Sequence, residues 1–243
     1  MTSDPIAQAR RLAERFPEAL AVLLAGSVAA GRATPSSDLD LAVLVPDGWE
    51  TYRETVRYEG RLAELFVHTR AGLGELFAAD TASRRGVMQS MYADALVLHD
   101  PDGLAAEARA RAVAELAAGP APLGAAAVEA RRYGLTDLLD DLADAADRRE
   151  ALAVGGAVLA AAAELLCDHH RAWTGTGKWF PRRLLAADAV LGAALLDGHL
   201  RLAEHGEPAA LGAAAGRVLD LVGGPLSAGY RRSWQGALVP TVG

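Results

Sequence analysis

The sequence predicts two architectures in series: a small α/β domain, then an all-helical bundle. Two observations carry this. Between positions 20 and 99, short apolar runs alternate with turn signals, at Leu20 to Ala25, Leu39 to Val45, Arg61 to Thr69 and Ala95 to His99. Beyond Gly103 the chain runs in long Ala- and Leu-rich stretches broken only by Gly/Pro clusters, and Ala and Leu favour helix. At 243 residues there is room for one large domain or two ordinary ones.

Taken in order, Ser3-Asp4-Pro5 is a helix start, a capping side chain followed by Pro at the first helical position. Ile6, Ala9, Leu12, Ala13 and Phe16 then give one apolar face. Leu20 to Ala25 reads as a buried strand ended by Gly26-Ser27, and Leu39 to Val45 as a second strand stopped by Pro46-Asp47-Gly48. Trp49 to Gly60 is polar and mixed, a connecting loop or short strand, and Arg61 to Thr69 is a third strand. Leu73 to Ala93 reads as helix with Asp80 and Ser83 as interior caps, and Ala95 to His99 as a short final strand before Asp100-Pro101-Asp102-Gly103.

The second half predicts helices at Leu104 to Ala118, Ala125 to Ala146, Glu150 to Trp173, Pro181 to His205, Ala209 to Val222 and Leu226 to Trp234. The expected division is therefore 1–103 for the α/β core, 104–124 for a helix and breaker-rich linker, and 125–243 for the helical domain.

Composition narrows the function. A formal net charge of −7 argues against a chain-wide basic nucleic-acid surface, so nucleic acid is not an expected partner. The single cysteine, Cys167, excludes an internal disulfide framework and a Cys-based zinc site. The first residues lack the apolar stretch of a signal peptide, and a cytoplasmic location is expected. The most apolar run, Ala151 to Ala163, is shorter than the roughly 20 residues of a spanning helix and reads as a buried helix, with no membrane partner.

The chemistry concentrates in Leu23 to Val45, LLAGSVAAGRATPSSDLDLAVLV. Side chains alternate along a strand, so Asp38 and Asp40 share a face while Leu39 and Leu41 point the other way. Paired carboxylates repel each other unless a cation sits between them, and Mg²⁺ takes such hard oxygen ligands with phosphate oxygens completing its shell. Glu64 lies in the third strand, in alternation with Phe66 and His68. If that strand neighbours the second, its carboxylate reaches the same point as a third ligand or as a base. Gly26 lets the backbone approach a phosphate, and Ser27 adds a hydroxyl and an amide donor, with Arg32 and Ser37 as further donors in the same turn.

This stretch resembles the signature of the nucleotidyltransferase superfamily that includes DNA polymerase beta and the aminoglycoside and lincosamide nucleotidyltransferases. It is most similar to the small bacterial and archaeal members. Their pattern is Gly-Ser, a small-residue turn, Ser-Asp-x-Asp, and a third carboxylate on a later strand. The resemblance implies an α+β fold, with a small mixed β-sheet and flanking helices. It also implies two divalent ions, taken as Mg²⁺, and transfer of a nucleoside monophosphate from a nucleoside triphosphate to an acceptor hydroxyl. Carried over by position, Asp38, Asp40 and Glu64 hold metal and form the catalytic set, and Gly26 and Ser27 contact the triphosphate. One departure is visible: many members carry arginine after Gly-Ser-x-Ala, where Ala30 stands here and arginine follows at Arg32.

The helical half resembles the arrangement in kanamycin nucleotidyltransferase and its relatives, without residue-by-residue correspondence. Asp137, Asp140, Asp141, Asp144 and Asp147 form an acidic stripe opposite Leu135, Leu138, Leu139, Leu142 and Ala146. It is either a solvated face or an anionic wall for a cationic acceptor. Glu164 and Asp168 stand one turn apart in an apolar helix, so one of them needs an Arg or an open cleft. Lys178 follows a Thr-Gly loop and has the reach for a phosphate, with Trp179 beside it to stack on a base. His169 and His170 point about 100° apart on a helix, which disfavours chelation of one ion.

The sequence thus leads to a Mg²⁺-dependent nucleotidyltransferase using a nucleoside triphosphate, ATP favoured. The acceptor hydroxyl belongs to a small molecule such as an aminoglycoside or to a protein. The rival from another class is an antitoxin-like protein that binds nucleotide or a partner without turnover. The apolar helices serve equally as core or as interface, which leaves a homodimer open.

Overall fold

The two most apolar runs form the centre of the sheet. In the computed structural model, which describes residues 4–233, β1 (Ala21–Ala25) is buried along its whole length and β2 (Leu39–Leu44) along all but Asp40. They pair antiparallel, with Ala25 opposite Asp40. The third strand of the sequence reading joins β2 on its other side. It pairs parallel, with Asp40 beside Glu64, and is preceded by a strand that the sequence left open between loop and strand. These are β3 (Tyr52–Tyr58) and β4 (Arg61–His68), an antiparallel hairpin. With β5 (Leu96–His99) they make one mixed five-stranded sheet in the order β3-β4-β2-β1-β5.

The β3–β4 hairpin turns at Glu59 (φ 46°) and Gly60 (φ 84°). Two consecutive positive φ values suit the twist of a two-residue hairpin, but such turns favour Asn or Asp at the first position. Glu59 is held there from outside. Arg11 donates two hydrogen bonds to its carboxylate, at 2.9 and 2.6 Å, and Gln8 Nε2 donates to its carbonyl at 3.3 Å. Arg11 in turn holds the Glu59 carboxyl below the usual range.

Period-two alternation puts a separate core on each face of the sheet. Val22, Leu24, Leu39, Leu41, Val43, Leu65 and Val67 pack with Ala9 and Leu12 of α1 (Pro5–Ala13), whose cap is Asp4, accepting from the Ile6 N–H at 3.1 Å. Ala21, Leu23, Ala42 and Leu44 face the other way, toward α3 (Arg70–Ala82), α4 (Val87–Ala93) and α5 (Leu104–Ala118). The four-residue turn of helix between β1 and β2 is α2 (Gly26–Ala29). Phe77 and Tyr92 are fully buried in this second core and meet edge to face at 5.7 Å, a contact worth about 1 kcal/mol beyond their burial. The helix expected over Leu73 to Ala93 is two helices: the chain breaks at Arg84 (φ 60°) and Gly86 (φ 59°), and Asp80 of α3 accepts from the Met88 N–H to cap α4.

The chain divides into two compact units, 1–119 and 120–243, so α5 belongs with the sheet and the second unit begins inside the breaker region, at Pro120. Among the described residues its regular elements are helices: α6 (Ala125–Asp144), α7 (Arg148–His169), α8 (Trp179–Ala187), α9 (Ala189–His205) and α10 (Ala209–Leu221). α7 extends past its apolar run to 22 residues, long and apolar enough by composition to cross a membrane. Here Val158, Ala162, Leu165 and Leu166 sit at the centre of the core, against Leu135, Leu195 and Leu211. Close helix contact depends on small residues: a Cβ on Gly198 of α9 would stand 2.7 Å from the Leu211 backbone nitrogen of α10.

Three helix expectations are corrected. The helix of Glu150 to Trp173 ends at His169, where Arg171 takes φ 53° and Trp173 turns into the interior. The helix of Pro181 to His205 breaks at Asp188, whose carboxylate caps α9 by accepting from the Val190 and Leu191 N–H groups at 2.9 and 2.8 Å. Residues 226–233 are not helical, and Trp234 lies outside the described residues, as does Ser3.

Candidate active site

Strand pairing assembles the acidic centre. Asp40 and Glu64 are register neighbours on parallel strands, so both side chains leave the same face of the sheet. Ala42 and Leu44 lie on that face further along β2 and are buried, whereas Asp40 and Glu64 are half-buried where the face opens. Asp38, two residues before Asp40, completes the group. One carboxylate oxygen from each of the three lies within 4.8 Å of the others. The condition attached to Glu64 in the sequence reading, that its strand neighbour the second, is met.

The turn after β1 is shaped around Asp40. Gly26 has φ 69°, and a Cβ built on it would stand 1.9 Å from Asp40 Oδ2. Any side chain there would collide with the carboxylate as well as strain the backbone. Ser27 Oγ donates to Ser37 Oγ at 2.9 Å, and Ser37 Oγ also accepts from the Thr34 N–H at 2.9 Å, which closes the turn ahead of Asp38. Arg61, at the start of β4, donates to the Ser37 carbonyl and, through Nε, to Gln8 Oε1 at 3.2 Å. The backbone that enters the carboxylate pair is thus tied to the strand that carries Glu64.

The expected residues therefore fall into three groups. Asp38, Asp40, Glu64, Gly26, Ser27 and Ser37 form one cluster. Arg32 stands on the same turn with an exposed side chain, and its N–H donates to the Ser27 carbonyl at 2.9 Å. Lys178 is exposed and belongs to the second unit, at the cap of α8. Two residues escaped the sequence reading, Arg53 and Arg61. Arg53 Nη2 donates to Glu64 Oε2 at 2.7 Å, and its guanidinium carbon lies 4.9 Å from the centre of the Phe66 ring. The signal that would have found it is the alternation of Tyr52, Val56 and Tyr58, which puts Arg53 on the opposite face, across from Phe66.

The donor set is oxygen only: three carboxylates without imidazole or thiolate, one of them lying where a side chain on residue 26 would otherwise stand. That chemistry fits a hard divalent cation. Further along the same face of β4, His68 is buried, and burial pushes its pKa down to about 4, so it is neutral at pH 7.

In the second unit the polar residues close helices and pair charges. Arg131 Nη1 binds Glu164 Oε2 and Asp168 Oδ2, each at 2.8 Å. Asp137, Asp140, Asp141 and Asp144 are exposed on α6. Asp147 leaves that stripe, because its carboxylate caps α7 by accepting from the Arg149 and Glu150 N–H groups at 2.8 and 3.2 Å. Ala146, expected on the apolar side, is exposed beyond the end of α6. His169 and His170 stack edge to face at 4.9 Å, and His170 Nε2 sits 3.5 Å from Asp188.

Residues 7–71 match the family model of the nucleotidyltransferase domain. This span runs from α1 to the end of β4 and contains the whole acidic centre. The class is thereby defined for this span: the first unit carries a nucleotidyltransferase domain. Enzymes of this class take a nucleoside triphosphate and generally use divalent metal. Among solved structures, the chain is similar to a nucleotidyltransferase-like protein from Exiguobacterium sibiricum 255-15. The TM-score is 0.46 and the identity 12%, over 89% of this chain and 74% of that one. No curated protein matches the chain.

Proposed function

We propose that this enzyme transfers a nucleoside monophosphate, AMP from ATP, to the hydroxyl of a cationic small molecule. The observation that carries the reading is the convergence of Asp38, Asp40 and Glu64 beside the Gly26-Ser27 turn. In the reaction the acceptor oxygen forms a bond to the α-phosphorus, the bond from that phosphorus to the bridging β-oxygen breaks, and pyrophosphate leaves. The acceptor proton passes to a base. Asp38, Asp40 and Glu64 are the residues that would hold Mg²⁺, which when bound supplies charge stabilisation to the entering and leaving oxygens.

The protein's own groups account for the rest. The Gly26 to Ser37 turn offers backbone N–H groups and the hydroxyls of Ser27 and Ser37 to the triphosphate, and Arg32 offers an exposed cation. Arg61 keeps Ser37, and with it Asp38, in place through the Ser37 carbonyl. A cationic acceptor is supported by the formal net charge of −7.

The test is calorimetric titration of ATP, GTP, CTP and UTP with and without Mg²⁺, on the wild type and on Asp38→Asn/Asp40→Asn. Metal-dependent binding of ATP that the double variant loses is the expected result, followed by pyrophosphate release in a screen of aminoglycosides. Undiminished transfer by the double variant would defeat the assignment of the two aspartates. Preference for another nucleotide would replace AMP while leaving the site intact.

A further inference from the structure

The acidic centre carries its own cation. Arg53 projects from the edge strand β3 on the face of Glu64, donates to Glu64 Oε2 at 2.7 Å, and lies 4.9 Å from the centre of the Phe66 ring. Its side chain is 62% exposed, against 23% for Glu64. We propose that Arg53 is a resident counter-ion that holds Glu64 in the metal-free protein and competes with a divalent cation for it. The inference rests on the reading of Asp38, Asp40 and Glu64 as metal ligands.

The argument is one of charge and geometry. Three carboxylates whose oxygens lie within 4.8 Å of one another repel strongly, and a guanidinium bonded to one of them relieves part of that repulsion. The same bond withdraws Oε2 from an incoming metal, and the guanidinium charge opposes the metal's approach. Release is easy. A pair with so exposed an arginine is weak, and the Phe66 ring, 4.9 Å from the guanidinium carbon, gives Arg53 a contact that does not need Glu64. Arg53 therefore sets the metal affinity below what the three carboxylates alone would provide, and it makes Glu64 a conditional ligand.

The experiment is titration of the full chain with Mn²⁺ alone, at low ionic strength, with free Mn²⁺ read by electron paramagnetic resonance. Arg53→Ala and Arg53→Gln are expected to bind Mn²⁺ about threefold to fivefold more tightly than the wild type, the range an exposed pair supports. Arg53→Lys, which keeps the charge, is expected to match the wild type. The difference should vanish in a Glu64→Gln background and shrink in about 0.5 M salt, where exposed charges are screened. Equal or weaker binding by Arg53→Ala and Arg53→Gln overturns the inference, as does tightening by Arg53→Lys, which would assign the effect to packing. Asp38→Asn/Asp40→Asn separates the two levels. Mn²⁺ binding by the wild type that this variant loses upholds the metal centre whatever Arg53 does, whereas no binding by the wild type overturns both.

Discussion

The two units treat acidic side chains in opposite ways. In the helical unit they are dispersed along the helices. Asp168 meets Arg131, Asp147 and Asp188 meet the amides that open α7 and α9, and the aspartates of α6 face solvent. In the sheet unit, three carboxylates converge within 4.8 Å, and the cation bound to Glu64 comes from an exposed edge strand. Dispersed acids cost little and stabilise helix ends. Converged acids cost stability and are useful only when a cation joins them. The contrast separates structural charge from chemical charge without reference to any relative.

The largest expected effect tests the structural side. The Asp168 side chain is only 4% exposed, and Arg131→Met removes the guanidinium that binds it at 2.8 Å. Urea unfolding should show a loss of about 3 kcal/mol, the usual cost of breaking a buried pair by removing one partner. Mn²⁺ affinity should not change, because the three converging carboxylates belong to the other unit. A stability loss within 0.5 kcal/mol would place Asp168 with the exposed acids of α6.

A smaller effect comes from His68, the buried group on the site's own strand. Its folded pKa lies near 4, against an ordinary 6.5, because burial disfavours the imidazolium. The unfolded chain therefore takes up a proton that the folded chain refuses between those values. The stability that depends on a neutral His68 is complete above about pH 6.5 and is lost as pH falls toward 4. Between pH 7.5 and 5.0 the wild type should lose about 2 kcal/mol more than His68→Leu, measured by urea unfolding followed by far-ultraviolet circular dichroism. Parallel pH profiles for the two proteins would show that His68 titrates alike in both states.

The smallest change tests how tightly the turn is fitted to Asp40. Gly26→Ala introduces a methyl 1.9 Å from Asp40 Oδ2 at a residue with φ 69°. The carboxylate must turn away, and Mn²⁺ affinity should fall about tenfold, roughly 1.4 kcal/mol. Unchanged affinity would mean that the turn yields instead, and that Asp40 is not positioned by it.

Much of this was legible in the chain. Leu20 to Ala25 and Leu39 to Val45 are apolar throughout except at Asp40, and a strand buried on both faces has that appearance. One polar residue in such a run marks the place where the face opens, which is why Asp38 and Asp40 stood out. β3 was harder. It is an edge strand whose exposed side carries Arg53, Thr55 and Arg57, and its hairpin turn uses Glu59-Gly60, stabilised by distant Arg11, in place of a local Asn-Gly signal. The break at Asp188 was hidden for a related reason. An Asp within an Ala/Leu-rich stretch reads as a helix surface residue until its carboxylate is seen capping the next helix.

By itself, the sequence determined the strand and helix periods, the shared face of Asp38 and Asp40, and the Gly-Ser turn, because each depends on residues close together in the chain. The tertiary structure alone decided that β4 lies parallel to β2, which brings Glu64 level with Asp40. It also decided that β3 covers the far edge of β4, which brings Arg53 onto Glu64. Strand order and register arise from the packing of whole faces against α1 and against α3 to α5. No local spacing encodes which strands become neighbours.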